Sequence, residues 1–167
     1  MAGGGGETAQ CATAGHGCRV RRPFWHTAGM ADLFVYGTLM TPAVMRAVIG
    51  RVPGSEPAEL PGYRRHRLRG KVYPAVVPES GATVAGRLYH DLTPAEITRL
   101  DRYEDAFYRR QPVTVRDAHG REQQAWCYVL PAQARQRLAA RPWRQDAFER
   151  TALRRYLRGL RRRAPRP

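Results

Sequence analysis

The amino-acid sequence predicts an α+β fold in which short strands and capped helices make up one domain. A β-rich segment runs through a glycine into a helix, a second helix begins with a clear capping pattern, and strand-like segments separated by turns fill much of the remaining chain. The chain has 167 residues, of which 43% are hydrophobic, so it is long enough to bury one core. It contains no run of about 18 apolar residues, and the sequence therefore indicates no membrane span.

The first strand and the first helix are joined by a short loop. Asp32–Tyr36 is rich in β-forming residues and ends at Gly37, and Thr41-Pro42 then begins a helix that Gly50 caps. Gly37 lets the backbone turn and approach a ligand closely, and N–H groups near a helix N-terminus favour carboxylates and oxyanions. The alternative is that this loop only connects a strand to a helix.

The second helix places a carboxylate where its pattern calls for an apolar residue. Thr93-Pro94-Ala95-Glu96 is a capping box with proline at the first helical position, so we expect the helix to begin at about Pro94. Its apolar positions are Ile97 and Leu100, and a further step of four residues reaches Glu104. The inward face of the helix is therefore predicted to carry an acidic side chain.

An inward Glu104 would be suited to proton transfer. Burial, and the negative end of the helix dipole if the residue lies in the last turn, both raise a carboxyl pKa towards neutral pH. The alternatives are an ion pair with Arg109 or Arg110, or a fully exposed helix end. Arg109 could equally position the carboxylate.

The middle of the chain is predicted to form strands. Val84–Tyr89, Pro112–Val115 and Gln124–Leu130 have strand patterns, and the turn at Asp117–Gly120 would pair the last two as a hairpin. Cys127 lies in the hairpin and is interpreted as a core residue. The hairpin follows the glutamate helix and could form the wall against which that helix packs.

Other polar residues do not form a recognisable site. Ser55 and Ser80 fall in Gly/Pro-rich segments interpreted as loops, without the motif of a serine hydrolase. Three histidines without a partner at fixed spacing are interpreted as surface or turn residues: His66, His90 and His119. Tyr73 and Tyr108 are candidate walls of a pocket, although a buried tyrosine is commonly a core residue.

The net charge of +15 is concentrated at the C-terminus, where residues 135–167 hold 12 arginines and 2 acidic residues. The pattern predicts an amphipathic helix docked on the core through residues that recur every four positions: Phe148, Ala152, Tyr156 and Leu160. Residues 161–167 would form a basic tail. Contact of this arginine-rich end with nucleic acid or another anionic partner is physically reasonable, but no aromatic-and-basic RNA motif accompanies it.

Residues 1–29 lack the pattern of a folded segment, so they are interpreted as a disordered extension or as lying before a true start at Met30, with the domain at 30–160. Their potential metal ligands match no common zinc spacing, so we expect no metal there: Cys11, His16, Cys18 and His26. No signal-peptide core is present, and three cysteines without a disulfide framework indicate a reducing compartment, so a cytoplasmic location is expected.

Several motifs together resemble the γ-glutamylcyclotransferase superfamily, most closely its AIG2-like and γ-glutamylamine cyclotransferase branch. The resemblance covers about residues 30–130 and rests on the order and spacing of five segments: Tyr36–Leu39, Val72–Pro74, Val84–Tyr89, Leu100–Glu104 and Tyr108–Arg109. It implies a small, mainly antiparallel β-barrel flanked by helices. It also implies that no metal or organic cofactor is needed.

The resemblance implies a site as well. The loop formed by Tyr36, Gly37, Thr38 and Leu39 would hold a γ-glutamyl group, and Glu104 would accept a proton from its α-amino group. That amine would then attack the γ-carbonyl of the same molecule, giving 5-oxoproline and a released amine or amino acid. Backbone N–H groups of the loop would bind either the oxyanion or the substrate carboxylate.

Two further functions share these features. A binding module could keep the fold and use its basic tail on an anionic partner, and an acyltransferase could pass the γ-glutamyl group to an outside amine. The enzyme predicts loss of turnover when Glu104 is changed to glutamine, whereas the binding module predicts loss of binding when residues 161–167 are removed. The sequence specifies neither the leaving group of the substrate nor the oligomeric state.

Overall fold

The structure is a computed structural model that describes residues 29–163. In chain order its strands and helices are β1 (Ala31–Val35), α1 (Pro42–Ile49), β2 (Ser55–Arg67), β3 (Pro74–Leu92), α2 (Pro94–Tyr103), β4 (Arg109–Asp117), β5 (Glu122–Val129), α3 (Gln145–Thr151) and α4 (Leu153–Arg163). Two short 3-10 turns, Thr38–Met40 and Ala132–Arg137, complete the regular structure of this part of the chain.

The five strands form a closed barrel in the order β1-β3-β2-β4-β5. All neighbouring pairs are antiparallel except β1 and β5, which are parallel and meet at Leu33 and Trp126. Apolar side chains from every strand fill a buried cluster that includes Phe34, Leu60, Val76, Leu88, Val115 and Cys127. The expected α+β fold, with a small and mainly antiparallel barrel flanked by helices, is confirmed.

The helices pack on the outside of the barrel over a second apolar cluster. Helix α2 begins at Pro94 as predicted: the Thr93 hydroxyl accepts a hydrogen bond from the Glu96 N–H at 3.3 Å, and the Glu96 carboxylate accepts one from the Thr93 N–H at 2.8 Å. Arg51 also binds this carboxylate at 2.5 Å, and this hydrogen bond is the main reason that the pKa of Glu96 is lowered. The start of α2 is thereby fixed to the segment after α1.

The loop interpretation of Ser55 and Ser80 is wrong. Ser55 begins β2 and its hydroxyl accepts a hydrogen bond from Arg87 at 2.9 Å, while Ser80 lies within β3. Local propensity misleads here because β2 carries Pro57 and Pro61, residues usually excluded from strands. Pairing of β2 with β3 along nearly its whole length outweighs that local preference.

His90 also differs from the interpretation as an unpartnered surface or turn residue. It is a half-buried residue of β3, its Nδ1 lies 3.1 Å from a carboxylate oxygen of Asp32, and its Nε2 lies 3.2 Å from one of Glu56. These partners belong to β1 and β2, so no spacing within the sequence could reveal them. Cys127 is fully buried in β5, as predicted.

The C-terminal amphipathic segment is two helices, α3 and α4, which are separated at Ala152, where φ is −118°. Its apolar residues pack against the outer cluster, and α4 extends to Arg163, within the segment 161–167. No helix between residues 29 and 163 is long and apolar enough to cross a membrane. The potential metal ligands at Cys11, His16, Cys18 and His26 lie outside the described residues.

Candidate active site

A cavity of about 910 Å³ opens among the loop after β1, helix α1, the end of α2 and helix α4. All seven residues singled out from the sequence line it: Tyr36, Gly37, Thr38, Leu39, Tyr73, Glu104 and Tyr108. Its volume lies within the range of about 300–1,000 Å³ that is typical of small-molecule sites. The roles of these residues in binding and catalysis stay predictions.

The loop after β1 forms one wall. A Cβ atom at Gly37 would lie 2.8 Å from ring carbons of Pro74, so only glycine lets the loop approach β3 this closely. The backbone N–H groups of Gly37, Thr38 and Leu39 make no backbone hydrogen bond to other residues of the described chain. Three donors are therefore available at the cavity wall for an oxyanion or a carboxylate.

The position of Glu104 differs in one respect from the position that the helix pattern predicts. Helix α2 ends at Tyr103, so Glu104 is the first residue beyond the helix and has extended backbone, although its N–H still donates to the carbonyl of Leu100 at 3.0 Å. Its half-buried side chain has no ion pair or hydrogen bond with any residue between 29 and 163. The carboxyl group is thus directed to the cavity by a helix end rather than by a helix face.

The two arginines considered as partners of Glu104 are engaged elsewhere. Arg110 binds the Asp101 carboxylate at 2.8 Å, and Arg109 donates to the carbonyl oxygens of Ala106 and Tyr108. Burial raises the pKa of Glu104 to about 8, and the neighbouring carboxylates of Asp105 and Asp101 add to this rise. Desolvation, rather than an ion pair, governs the protonation of Glu104.

Asp105, the second carboxylate of the cavity, has a different environment. It accepts a short hydrogen bond from the Tyr73 hydroxyl, and the Lys71 ammonium lies 3.6 Å from the same oxygen. Lys71 also lies 5.5 Å from the centre of the Tyr73 ring. Asp105 is thus a paired carboxylate next to an unpaired one.

The tyrosines of the cavity form its walls, with their hydroxyl groups already bonded. Tyr108 donates to the Pro74 carbonyl and Tyr36 to the Tyr128 carbonyl, each at 2.6 Å. Burial raises the pKa of Tyr36 and of Tyr108 far above the usual value, so both stay neutral and act as walls.

A chain of hydroxyl groups connects three parts of the site. The Tyr103 hydroxyl lies 2.9 Å from that of Thr38 and 2.5 Å from that of Tyr156, so it joins the loop, the end of α2 and helix α4. The sequence analysis did not assign Tyr103, Tyr156, Asp105 or Lys71 to the site. Tyr103 and Asp105 are the sequence neighbours of Glu104, and this adjacency was the signal that could have placed them in the site. For Tyr156 the sequence offered only its position in the apolar pattern of the C-terminal helix.

The arrangement combines a carboxyl group that can exchange a proton near neutral pH with three backbone donors across one cavity. This combination suits reactions in which an amine loses a proton while a carbonyl oxygen gains negative charge. Within residues 29–163, no group of three or more His, Cys, Asp or Glu side chains is placed to hold a metal ion.

Comparisons with known proteins identify the family and the fold of the chain. The chain matches the family model described as "Gamma-glutamyl cyclotransferase, AIG2-like" over residues 33–145. AIG2-like protein D of Arabidopsis thaliana is 38% identical over 89 residues, which make up 53% of this chain and 59% of that protein. A solution structure of an Arabidopsis thaliana protein superposes with a TM-score of 0.62 and 24% identity, covering 82% of this chain and 95% of that one.

A solved structure of a γ-glutamyl cyclotransferase has a TM-score of 0.52 and 16% identity, and it covers 82% of this chain and 88% of its own. At these identities the two structural likenesses establish the fold, which is that of the γ-glutamyl cyclotransferase class. The chain belongs to the γ-glutamyl cyclotransferase, AIG2-like family, as its motifs indicated. It spans about three-fifths of the length of AIG2-like protein D.

Proposed function

We propose that the protein is a γ-glutamylcyclotransferase, which converts a γ-glutamyl amine or γ-glutamyl amino acid to 5-oxoproline and the released amine. The observation that carries the proposal is the unpaired Glu104 carboxyl group, with a pKa of about 8, in the same cavity as the loop donors of Gly37 to Leu39. The family supports the reaction class.

The reaction begins with a proton transfer. Glu104 in its ionised form takes a proton from the substrate α-ammonium group, and the ammonium's positive charge favours that ionised form when substrate binds. The neutral amine then attacks the γ-carbonyl carbon, which forms the new C–N bond and a tetrahedral oxyanion. Backbone N–H groups of the loop stabilise this charge.

Collapse of the intermediate completes the reaction. The bond between the γ-carbon and the original amide nitrogen breaks as protonated Glu104 gives its proton to the departing nitrogen. The ring nitrogen still carries two hydrogens after the attack, and it loses one of them to the ionised Glu104, which leaves the neutral amide of 5-oxoproline. Because nucleophile and electrophile belong to one molecule, holding the folded conformation of the substrate supplies much of the rate, up to about 7–11 kcal/mol in favourable cases. No cofactor takes part in this scheme.

The test is release of 5-oxoproline from γ-glutamyl amines, γ-glutamyl amino acids and glutathione. We expect Glu104→Gln to lower kcat/KM by about 100- to 10,000-fold, because the variant cannot exchange the proton. Glu122→Gln is the matched control, since Glu122 is an exposed residue of the β4–β5 hairpin that does not line the cavity. Equal activity of the two variants would refute the role of Glu104.

A binding function for the arginine-rich end is the second candidate. It is favoured by the exposed arginines of α4, such as Arg154 and Arg158. Removal of residues 161–167 would then weaken binding to nucleic acid or another polyanion while 5-oxoproline release is unaffected.

A further inference from the structure

Two arginines line the same cavity as Glu104 without a partner of their own. Arg102 precedes Tyr103 at the end of α2, and Arg155 precedes Tyr156 on α4. Both are exposed, and neither forms an ion pair or side-chain hydrogen bond with the described residues. Because Tyr103 and Tyr156 are hydrogen-bonded to each other at 2.5 Å, the two arginines are held on neighbouring elements at the mouth of the cavity.

The positive charge continues outside the cavity along α4. Arg155 also lines a smaller depression with Arg158, Gly159 and Arg162. The spacings of three and four residues put these arginines on one face of the helix, where like charges destabilise an isolated helix. Like Arg155, the other two arginines are exposed and have no partner within residues 29–163. A bound anion would relieve this repulsion.

The acidic side chains of the cavity do not neutralise this charge. Asp105 is paired with Lys71, and Glu104 is mostly protonated at neutral pH because its pKa is about 8. Arg99 also lines the cavity and donates to the Ile49 carbonyl at 2.9 Å. The mouth of the cavity is therefore positive, whereas its inner part is formed by the buried loop and by Tyr108.

We propose that the preferred substrate is a γ-glutamyl peptide whose leaving group carries two or more carboxylates, received by Arg102 and Arg155 and then by Arg158 and Arg162. This rests on the proposed function, because it places the γ-glutamyl group at Glu104. The arginine face is continuous with the cavity, since Arg155 lines both the cavity and the depression. This favours a narrow acidic peptide, which can enter the cavity, rather than a nucleic acid, which would lie on the surface. Cyclisation of such a substrate releases 5-oxoproline and the acidic peptide or amino acid.

The test compares γ-glutamylglutamate with γ-glutamylglutamine, which are of nearly equal size and differ by one carboxylate. We expect kcat/KM to be about fivefold higher for γ-glutamylglutamate, the gain expected from an exposed ion pair. The preference should decrease at high salt because screening weakens exposed ion pairs. Equal turnover of the two peptides at low salt would overturn the inference and leave the cyclotransferase proposal intact.

Two matched variants distinguish a specific contact between Arg155 and the peptide from a general effect of the positive charge of the helix. Arg155→Gln should reduce the preference for γ-glutamylglutamate to near unity, whereas Arg154→Gln should retain it, because Arg154 is exposed on the same helix but lines neither cavity nor depression. The same effect of both variants would show that only net charge acts, and would overturn the inference.

Binding to Glu104→Gln, measured by calorimetry, keeps the inference testable without turnover. Tighter binding of γ-glutamylglutamate, lost on adding Arg155→Gln, would support the anion site even if no substrate were cyclised. Failure of both peptides to bind wild type and Glu104→Gln would overturn it. So would tight binding of single-stranded RNA through Arg155 with no difference between the peptides, which would identify a nucleic-acid surface instead.

Discussion

Glu104 and Asp105 show how adjacent carboxylates acquire different properties. Asp105 is bound by Tyr73 and Lys71, while Glu104 meets a largely desolvated space and the negative charge of its neighbour. Both effects favour the neutral form of Glu104. The working pH of the proposed enzyme is therefore set partly by a residue that need not contact the reacting atoms.

Replacement of Asp105 by asparagine should shift the pH dependence of kcat/KM. In the proposed reaction the rising limb reports ionisation of Glu104 in the free protein, near pH 8 in the wild type. Removing the negative charge of Asp105 lowers the pKa of Glu104, so the limb should move to lower pH. Asp146→Asn, a change at a partly exposed residue outside the cavity, should leave it in place. An unchanged limb in Asp105→Asn would mean that another group controls the rate.

At the scale of the strands, the close contact between β1 and β3 explains why residue 86 is a glycine. A Cβ atom at Gly86 would lie 2.3 Å from the carbonyl oxygen of Val35 and 2.5 Å from a ring carbon of Phe34. Gly86 is therefore required by the approach of two strands, not by an unusual backbone angle. The contact lies at the end of β1, directly before the loop that lines the cavity.

Gly86→Ala should lower the free energy of unfolding by about 1–3 kcal/mol, because the added methyl group overpacks the β1–β3 contact. Urea denaturation measures the change. Gly54→Ala is a suitable control, since nothing lies within 4 Å of its added Cβ, and its effect should stay within about 0.5 kcal/mol. Similar stabilities of the two variants would contradict this account of the contact.

Elements specified by neighbouring residues were predicted well. Helix α2 begins at Pro94 because its capping box is contained within four residues, and the loop after β1 was found from its glycine. Strand β2 was missed because its pairing with β3 outweighs two unfavourable prolines. Glu104 was singled out from its spacing after Leu100. Its cavity neighbour Tyr156 was not assigned to the site, because it lies 53 residues from its hydrogen-bond partner Tyr103.

At the scale of the whole molecule, His90 joins three strands of the barrel. It lies on β3 between the carboxylates of Asp32 on β1 and Glu56 on β2, and the hydrogen bond with Asp32 is the main cause of its raised pKa. Protonated His90 thus stabilises the barrel through two charge-assisted contacts.

This contribution to stability should depend on pH. Because the pKa of His90 is higher in the folded than in the unfolded protein, its stabilisation is complete below the unfolded value, about 6.5, and is lost as pH rises through the folded value. His90→Gln should lose this stabilisation, so its unfolding free energy should fall less than that of the wild type between pH 6 and 9. His119→Gln, in an exposed turn, should follow the wild type. A parallel fall in all three proteins would exclude His90 as the cause.

Parallel pairing of β1 with β5 closes the barrel and has a consequence for how the chain folds. The Tyr36 hydroxyl that follows β1 donates to the Tyr128 carbonyl in β5, a contact across 92 residues of sequence. Contacts of such separation slow folding, because a long loop must be ordered before they form. During synthesis on the ribosome, β1 can pair with β3 before β5 has emerged, but one of its edges stays unpaired until then. Strand β1, the first strand within residues 29–163, is thus among the last to be completed, and the nascent chain depends on protection of that edge from aggregation.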